Sequence, residues 1–363
     1  MTIQDLHFDC IHFRGDMPCR PNKESGSICN SCSEYSPISK RILIIKLGAL
    51  GDVIRTTPLI ERYRKEYPQC HITWITNHPE ILPKDALDCV RTFSFSDIFI
   101  LMKQHFDIAV NLCKDQEAAI LLSECKAQEK CGFIWSDGHL SIANQASEHK
   151  LLTGLFDAYS KANSKSYVEE IFEICGFQYE HEPYILNVNS ALIHEWSRIK
   201  TMAEGKPIIG LNTGAGSRWP TRLWPEENWK ELILLLKAAG YAPLLLGGQD
   251  EHERNASLKS QTDAIYEGVF PLESFIAICA QCDIIITAVS MTMHIALGLG
   301  KNMILFNNIF NRHEFDLFGK GEIIEPEHGC DCYYGAHCTR EIPCMKDISV
   351  QTVMNAIQKQ IAG

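Results

Sequence analysis

Reactive residue types gather in a few short stretches of this 363-residue chain. The first is RILIIKLGALGDVI at 41–54, where an apolar run carrying Lys46 breaks into Gly48-Ala49-Leu50-Gly51 and meets a carboxylate, Asp52. A strand feeding a glycine turn and a helix start directs backbone N–H groups and the positive helix end into a crevice. Asp52 is then either a base at the mouth of a site or the cap of an ordinary βα unit. The second stretch is Asn212-Thr213-Gly214-Ala215-Gly216-Ser217-Arg218, followed by Arg222 and Trp224-Pro225-Glu226. Its glycines let a ligand approach the backbone, and its arginines offer forked donors that suit phosphate oxygens. It reads as a diphosphate seat, or as a surface loop with solvated arginines. Acids follow a third glycine pair at Gly247-Gly248-Gln249-Asp250-Glu251, with Glu253 beyond. Any of them suits a ribose diol or a solvated helix start. In Ser290-Met291-Thr292-Met293-His294 two hydroxyls at a helix start suit phosphate. His294 alone fits a core histidine better than a catalyst.

Sixteen cysteines include two clusters. Cys10, Cys19, Cys29 and Cys32 are spaced C-x8-C-x9-C-x2-C, with His7 and His12 as spare ligands. Cys29 and Cys32 have knuckle spacing, and the segment has no apolar period to explain four thiols, so a tetrahedral structural site, most simply zinc, is expected. Cys330, Cys332, Cys338 and Cys344 form a second cluster, C-x-C-x5-C-x5-C, among Gly329, Gly335 and Pro343. A second metal is expected there, with reduced thiols the alternative. The other cysteines lie mostly in apolar runs and belong to the core.

The elements that must position these residues alternate. Apolar runs at 42–46, 71–76, 106–112 and 131–135 predict strands, with helices at 52–67 and 115–127. The pattern then restarts at 207–211, with strands at 242–246, 283–287 and 302–306 and helices between. This is the signature of parallel βαβ units. The expected fold is α/β, two doubly wound halves that each begin strand, glycine loop, helix. Ligands of such sheets lie beyond the carboxyl ends of the strands, so the 48–52 loop is expected to face the 213–217 loop. The boundaries read as a cysteine-rich segment 1–40, a first half 41–190, a linker helix 191–204, a second half 205–345 with its cysteine loop at 329–345, and a final helix 346–363 packing back toward the first half.

Composition narrows the classes. A net charge of −11 argues against a nucleic-acid surface, which needs excess Lys and Arg. The start MTIQDLHFDC has neither a basic n-region nor an apolar h-region, and no apolar run reaches transmembrane length, so a cytoplasmic protein is expected. A dinucleotide oxidoreductase fits poorly, because the first loop lacks a G-x-G-x-x-G.

The chain resembles glycosyltransferase family 9, the heptosyltransferase family, in KLGALGDVIRTTP at 46–58, NTGAGSRWPTRLWPEENWKELI at 212–233, LLGGQDEHE at 245–253, MHIALGLGKNMILF at 293–306 and the cysteine tail ending Cys344-Met345. The resemblance implies a GT-B architecture with an acceptor half, a donor half and a cleft between them. It implies inverting transfer from a nucleotide sugar, most often ADP-heptose, with no catalytic metal required. Its catalytic Asp maps to Asp52, its donor-phosphate residues to Thr213 and Arg222, and its ribose-binding acid to Glu251. Lys46, Gly51, Gly214, Ser217, Arg218, Ser290, Thr292 and His294 complete the expected donor site, with Lys46, Arg218 and Arg222 facing the departing diphosphate. Some cysteine-bearing relatives hold iron in such a finger, so either zinc or iron is implied. Relatives carry Asp-Ser/Thr-Gly before the Met-His pair, where this chain has Val289-Ser290-Met291-Thr292. That departure touches the donor sugar, and it supports the rival reading of a sugar-nucleotide-binding or scaffold module without turnover. The acceptor (lipopolysaccharide core, protein hydroxyl or small metabolite) is left open.

Overall fold

The computed structural model describes residues 2–216 and 218–362. The expected call on Ser217 falls outside them. The first half is one six-stranded sheet: β1 (Arg41–Ile45), β2 (His71–Thr76), β3 (Cys89–Thr92), β4 (His105–Asn111), β5 (Lys126–Ser136) and β6 (His139–Ile142), ordered β3-β2-β1-β4-β5-β6. The first five run parallel, and β6 turns back against β5. The second half is a parallel five-stranded sheet: β7 (Ile208–Asn212), β8 (Ala242–Leu246), β9 (Ile284–Ala288), β10 (Asn302–Phe306) and β11 (Gly321–Ile324), ordered β11-β10-β9-β7-β8. This is the doubly wound pair expected of a GT-B chain. Its central strands are β-branched and buried on both faces; Ile42, Leu43, Ile44 and Ile45 are fully excluded from solvent. A parallel sheet covered by helices on both faces demands that pattern.

Strand order fixes where ligands go. Connections leave β1 and β4 toward opposite sides, which opens a crevice at their carboxyl ends. The same reversal lies between β7 and β9. The loops after these four strands are 46–49, 112–115, 213–218 and 289–290.

Several elements depart from expectation. The helix expected over 52–67 is two, Leu50–Ile54 and Pro58–Glu66, because Pro58 cannot continue the first ladder. The strand at 131–135 extends over Lys126–Ser136, and β3, β6 and β11 went unread because each is four residues long at or near a sheet edge. The closing helix, Val350–Ala362, was expected to pack toward the first half. Its face of Val353, Met354 and Ile357 instead packs on the second half, against the helix Glu226–Ala238 and strands β10 and β11.

The halves meet at several points. The helix Leu50–Ile54 lies against the helix Met291–Gly298. Gly298 has no side chain because Leu186 occupies the space a Cβ would take. Asn311 donates to the carbonyls of Ser160 and Asn163, at 2.7 and 2.6 Å. Asp316 accepts from Tyr179 and pairs with His181. No helix among the described residues is long and apolar enough to cross a membrane.

Candidate active site

On the β1 side the residues that follow the strand converge on one carboxylate. Asp52, in the first turn of Leu50–Ile54, places Oδ1 2.7 Å from Arg55 and Oδ2 3.5 Å from Lys46 Nζ. Lys46 is buried at the end of β1 and also donates to the Leu112 carbonyl after β4, at 3.3 Å. Thus Lys46 spans the sheet's switch point. The Arg55 guanidinium stacks over the Tyr167 ring, 3.4 Å from its centroid, and Lys150 sits over the same ring at 4.5 Å. Burial alone would raise the Asp52 carboxyl, but Arg55 and Lys46 outweigh it and hold it well below the usual carboxylate range. Asp52 is ionised across the working pH range. A cleft of about 520 Å³ opens above it, lined also by Lys114, Arg218, Glu314 and Tyr334.

Opposite stands His294. It is 6% exposed, its Nδ1 is buried without a partner, and its ring lies against Gly51. Burial first, then Arg55, pushes its pKa down to about 3, so it is a neutral imidazole. The expected facing of the 48–52 and 213–217 loops is therefore realised chiefly through a different element, with His294 meeting Gly51 where the helices Met291–Gly298 and Leu50–Ile54 pack.

On the β7 side a second cavity, about 680 Å³, is bounded by Gly214, Gly216, Gly248, Glu251, Ser290 and Thr292, with Phe270, Leu272 and Phe275 as an apolar wall. Glu251 caps Gly248, accepting from its N–H at 2.8 Å. A Cβ on Gly214 would lie 2.0 Å from the Glu251 Oε1, so glycine is needed there for the carboxylate to lie across the loop. Thr213 is buried, and its hydroxyl donates to Asn255 at 2.7 Å rather than facing the cavity. Ser290 Oγ lies 3.0 Å from the Thr287 hydroxyl. Arg222 lines the cavity, yet its guanidinium donates to the carbonyls of Val289 and Ala215, tying the two loops together. Burial pushes its pKa down to about 10, so it stays charged. A third cavity, about 440 Å³, joins the two sides and touches Gly51, Asp52, Arg218, Arg222, Ser290 and His294.

Among the described residues, the fold thus brings the expected donor-side residues to the cleft around Asp52, except Thr213, which supports the loop from behind. Sequence reading missed Arg55, Lys114, Lys150 and Tyr167 on the β1 side, and the Phe270–Phe275 wall. Arg55 had a signal: three residues beyond Asp52 on a helix, it must share its face. Tyr167 and Lys150 had none, since only tertiary folding brings their helices to β1.

The thiols divide. The sulfurs of Cys330, Cys332 and Cys344 lie within 4.8 Å of one another, the one such ligand group among the described residues. This thiolate set fits a thiophilic ion such as zinc or iron. Cys332 and Cys344 are buried. The loop they anchor reaches the cleft: the Gly335 carbonyl accepts from Thr221 at 2.8 Å, and Tyr334 lines the cavity over Asp52. Cys10, Cys19, Cys29 and Cys32 surround a separate small void.

A model of glycosyltransferase family 9 (heptosyltransferase) matches residues 100–309. The lipopolysaccharide heptosyltransferase 2 of Salmonella typhimurium is 30% identical over 111 residues, 29% of this chain and 32% of that protein, so the match spans about a third of the relative. Among solved structures, a family 9 glycosyl transferase from Veillonella parvula superposes with a TM-score of 0.67 at 19% identity, covering 90% of this chain and 98% of its own. The E. coli ADP-heptose lps heptosyltransferase II gives 0.65 at 17% identity, covering 89% and 98%. The iron-containing dodecameric glycosyltransferase TibC from E. coli gives 0.55 at 14%, covering 90% and 77%.

Proposed function

Because this chain belongs to glycosyltransferase family 9, the heptosyltransferases, we propose that it is an inverting glycosyltransferase that moves a heptose from ADP-heptose to an acceptor hydroxyl, with Asp52 as general base. The observation that carries this reading is Asp52 itself, a carboxylate held ionised by Arg55 and Lys46 where the acceptor-side and donor-side cavities join. The acceptor oxygen attacks the anomeric carbon from the β1 side while the bond from that carbon to the diphosphate oxygen breaks on the β7 side. The hydroxyl proton passes to Asp52, and ADP leaves with the bonding electrons. Attack and departure on opposite faces invert the carbon. Negative charge grows on the diphosphate, and Arg218 together with the N–H groups opening Met291–Gly298 supports it. Arg222 shapes that seat through the two loops it ties. Glu251 receives the ribose diol, and Phe270 and Phe275 flank the base.

Lys46, Arg55, Lys114, Lys150 and Arg218 stand against Asp52, Asp115, Glu117 and Glu314 around the acceptor side, a small basic excess that suits an acceptor carrying acidic groups, as a growing lipopolysaccharide core does. A nucleotide-sugar donor places the work in the cytoplasm. Cys330, Cys332 and Cys344, with Cys338 beside them, hold one zinc or iron ion, which cross-links the loop carrying Tyr334.

The test is incubation with ADP-heptose and a cell extract, reading ADP release and the mass of the new product. Release with a heptose added to the product supports the reading. Near-normal turnover by Asp52→Ala would overturn the assignment of the base. The second reading, a sugar-nucleotide-binding module, draws on Val289 and Met291; ADP-heptose binding without release under any acceptor supply would favour it.

A further inference from the structure

Residues 2–40 belong to neither sheet, and the proposed reaction makes no use of them. Their packing does not account for their order. Within the described part of this segment Pro21 is the one buried residue, while Ile3, Phe8, Met17 and Ile28 stay exposed. Secondary structure is slight: single turns at Ile3–Asp5 and Cys29–Ser31, the short helix Arg20–Ser25 and an isolated bridge between Cys10 and Pro37. A segment of this length with so little apolar burial needs a staple.

The structure points to one. Cys10, Cys19, Cys29 and Cys32 all line a single void of about 30 Å³, room for one ion or one water. They come from three separate stretches, Cys29 and Cys32 sharing one turn, so sequence proximity alone does not bring Cys10 and Cys19 to that pair. The Cys32 N–H donates to the Cys29 carbonyl at 3.4 Å, which closes the Cys-x-x-Cys turn around the void. The two histidines on the rim are differently placed. His7 stacks on Tyr35 with centroids 4.0 Å apart, and Tyr35 in turn donates to Asp9 at 2.7 Å. That ring is already packed, His12 stands as a spare donor on the rim, and the four sulfurs are the soft ligands around the void.

We propose that Cys10, Cys19, Cys29 and Cys32 bind one zinc ion as a tetrathiolate site, separate from the Cys330 cluster, and that this ion holds residues 2–40 folded. No three of these sulfurs lie within 4.8 Å of one another in this structure, so zinc–sulfur bonds of about 2.3 Å require the quartet to close inward on the void, with thiol protons released on binding. The site is remote from the reaction. Ser39 donates its N–H to Gln69 and its hydroxyl to Pro68, and Lys40 pairs with Asp107 at 3.6 Å, all at the amino end of β1. Asp52 lies beyond the carboxyl end of that strand, about 16 Å further on for five residues at ~3.3 Å each. The zinc therefore supports a module on the far edge of the acceptor half, available for contact with another molecule without touching the reacting atoms.

The experiment uses the full-length protein loaded with zinc, alkylated with iodoacetamide before and after chelation, with each cysteine followed by peptide mass spectrometry. Mapping by peptide separates this quartet from the Cys330 cluster. Expected is protection of the four thiols together, lost together on chelation, and loss of one zinc equivalent in Cys29→Ser/Cys32→Ser with ADP binding retained. If the four thiols alkylate equally fast before and after chelation, or if the double variant keeps the parent's zinc content, the proposal is wrong. Should the variant be insoluble, the protection pattern of the parent protein decides alone.

Discussion

Gly51→Ala offers a sharp test of how the two halves meet. Within a helix, alanine ordinarily stabilises over glycine by about 0.5–1 kcal/mol. Here the sign reverses. A Cβ on Gly51 lies 2.4 Å from His294 Cδ2 and 3.1 Å from Nε2, where ordinary contact begins at 3.4 Å. The shortfall is about 1 Å, more than a ring that is 6% exposed and lies against Tyr184 takes up by small adjustment. Either the helix Leu50–Ile54 backs away and carries Asp52 with it, or the halves part. Overpacking of this kind costs about 1–3 kcal/mol, and displacing a reacting group by ~1 Å costs about 100-fold in rate. Thermal unfolding and the rate of ADP release are measured for Gly51→Ala, His294→Ala and the double variant. The single glycine variant loses both stability and turnover, and removing the imidazole in the same chain restores most of each, as expected of two groups in contact. A rise in melting temperature for Gly51→Ala, or a double variant equal to the sum of the singles, refutes the reasoning.

The remaining expectations concern chemistry and metal. Asp52→Asn keeps the fold, as circular dichroism would show, and lowers kcat by about 10²–10⁴-fold; a smaller loss removes it as the base. Lys114 is exposed as a residue, while desolvation at its ammonium and then Lys150 bring its pKa down from 10.5 to about 8. It loses its charge as pH rises through 8, so KM for an anionic acceptor climbs there while KM for ADP-heptose does not, and Lys114→Met flattens the profile. The folded form holds fewer protons than the unfolded chain between about 8 and 10.5, so the contribution of Lys114 to stability rises with pH across that window. Phe275→Ala weakens ADP binding in calorimetry by roughly 1–3 kcal/mol if its ring faces the base. Removing metal from the Cys330 cluster loosens Thr221 and Tyr334, which hydrogen exchange in those peptides reports.

Much of the fold was legible because parallel strands buried on both faces read as continuous apolar runs. RILII, PIIGL and DIIIT announce themselves, and each is followed by the loop that forms the site. Edge strands of four residues carry no such run, and β3, β6 and β11 went unread. Asp52 was legible from a local cue, a carboxylate after a glycine turn. Its control was not: Tyr167 and Lys150 reach it from two helices more than ninety residues downstream. Arg222 was read as a phosphate ligand from its residue type. In the fold its donors already meet two carbonyls, a use of the same guanidinium that spacing cannot distinguish.

That tie also bears on how such a chain drifts. Arg222 holds the 289 loop through the Val289 carbonyl, a group every amino acid possesses. The identity of the side chain at 289 is thereby released from the task of keeping that loop in place. A valine there leaves the scaffold of the cleft intact, and under the proposed function the position is free to tune which sugar enters before any framework residue has to change.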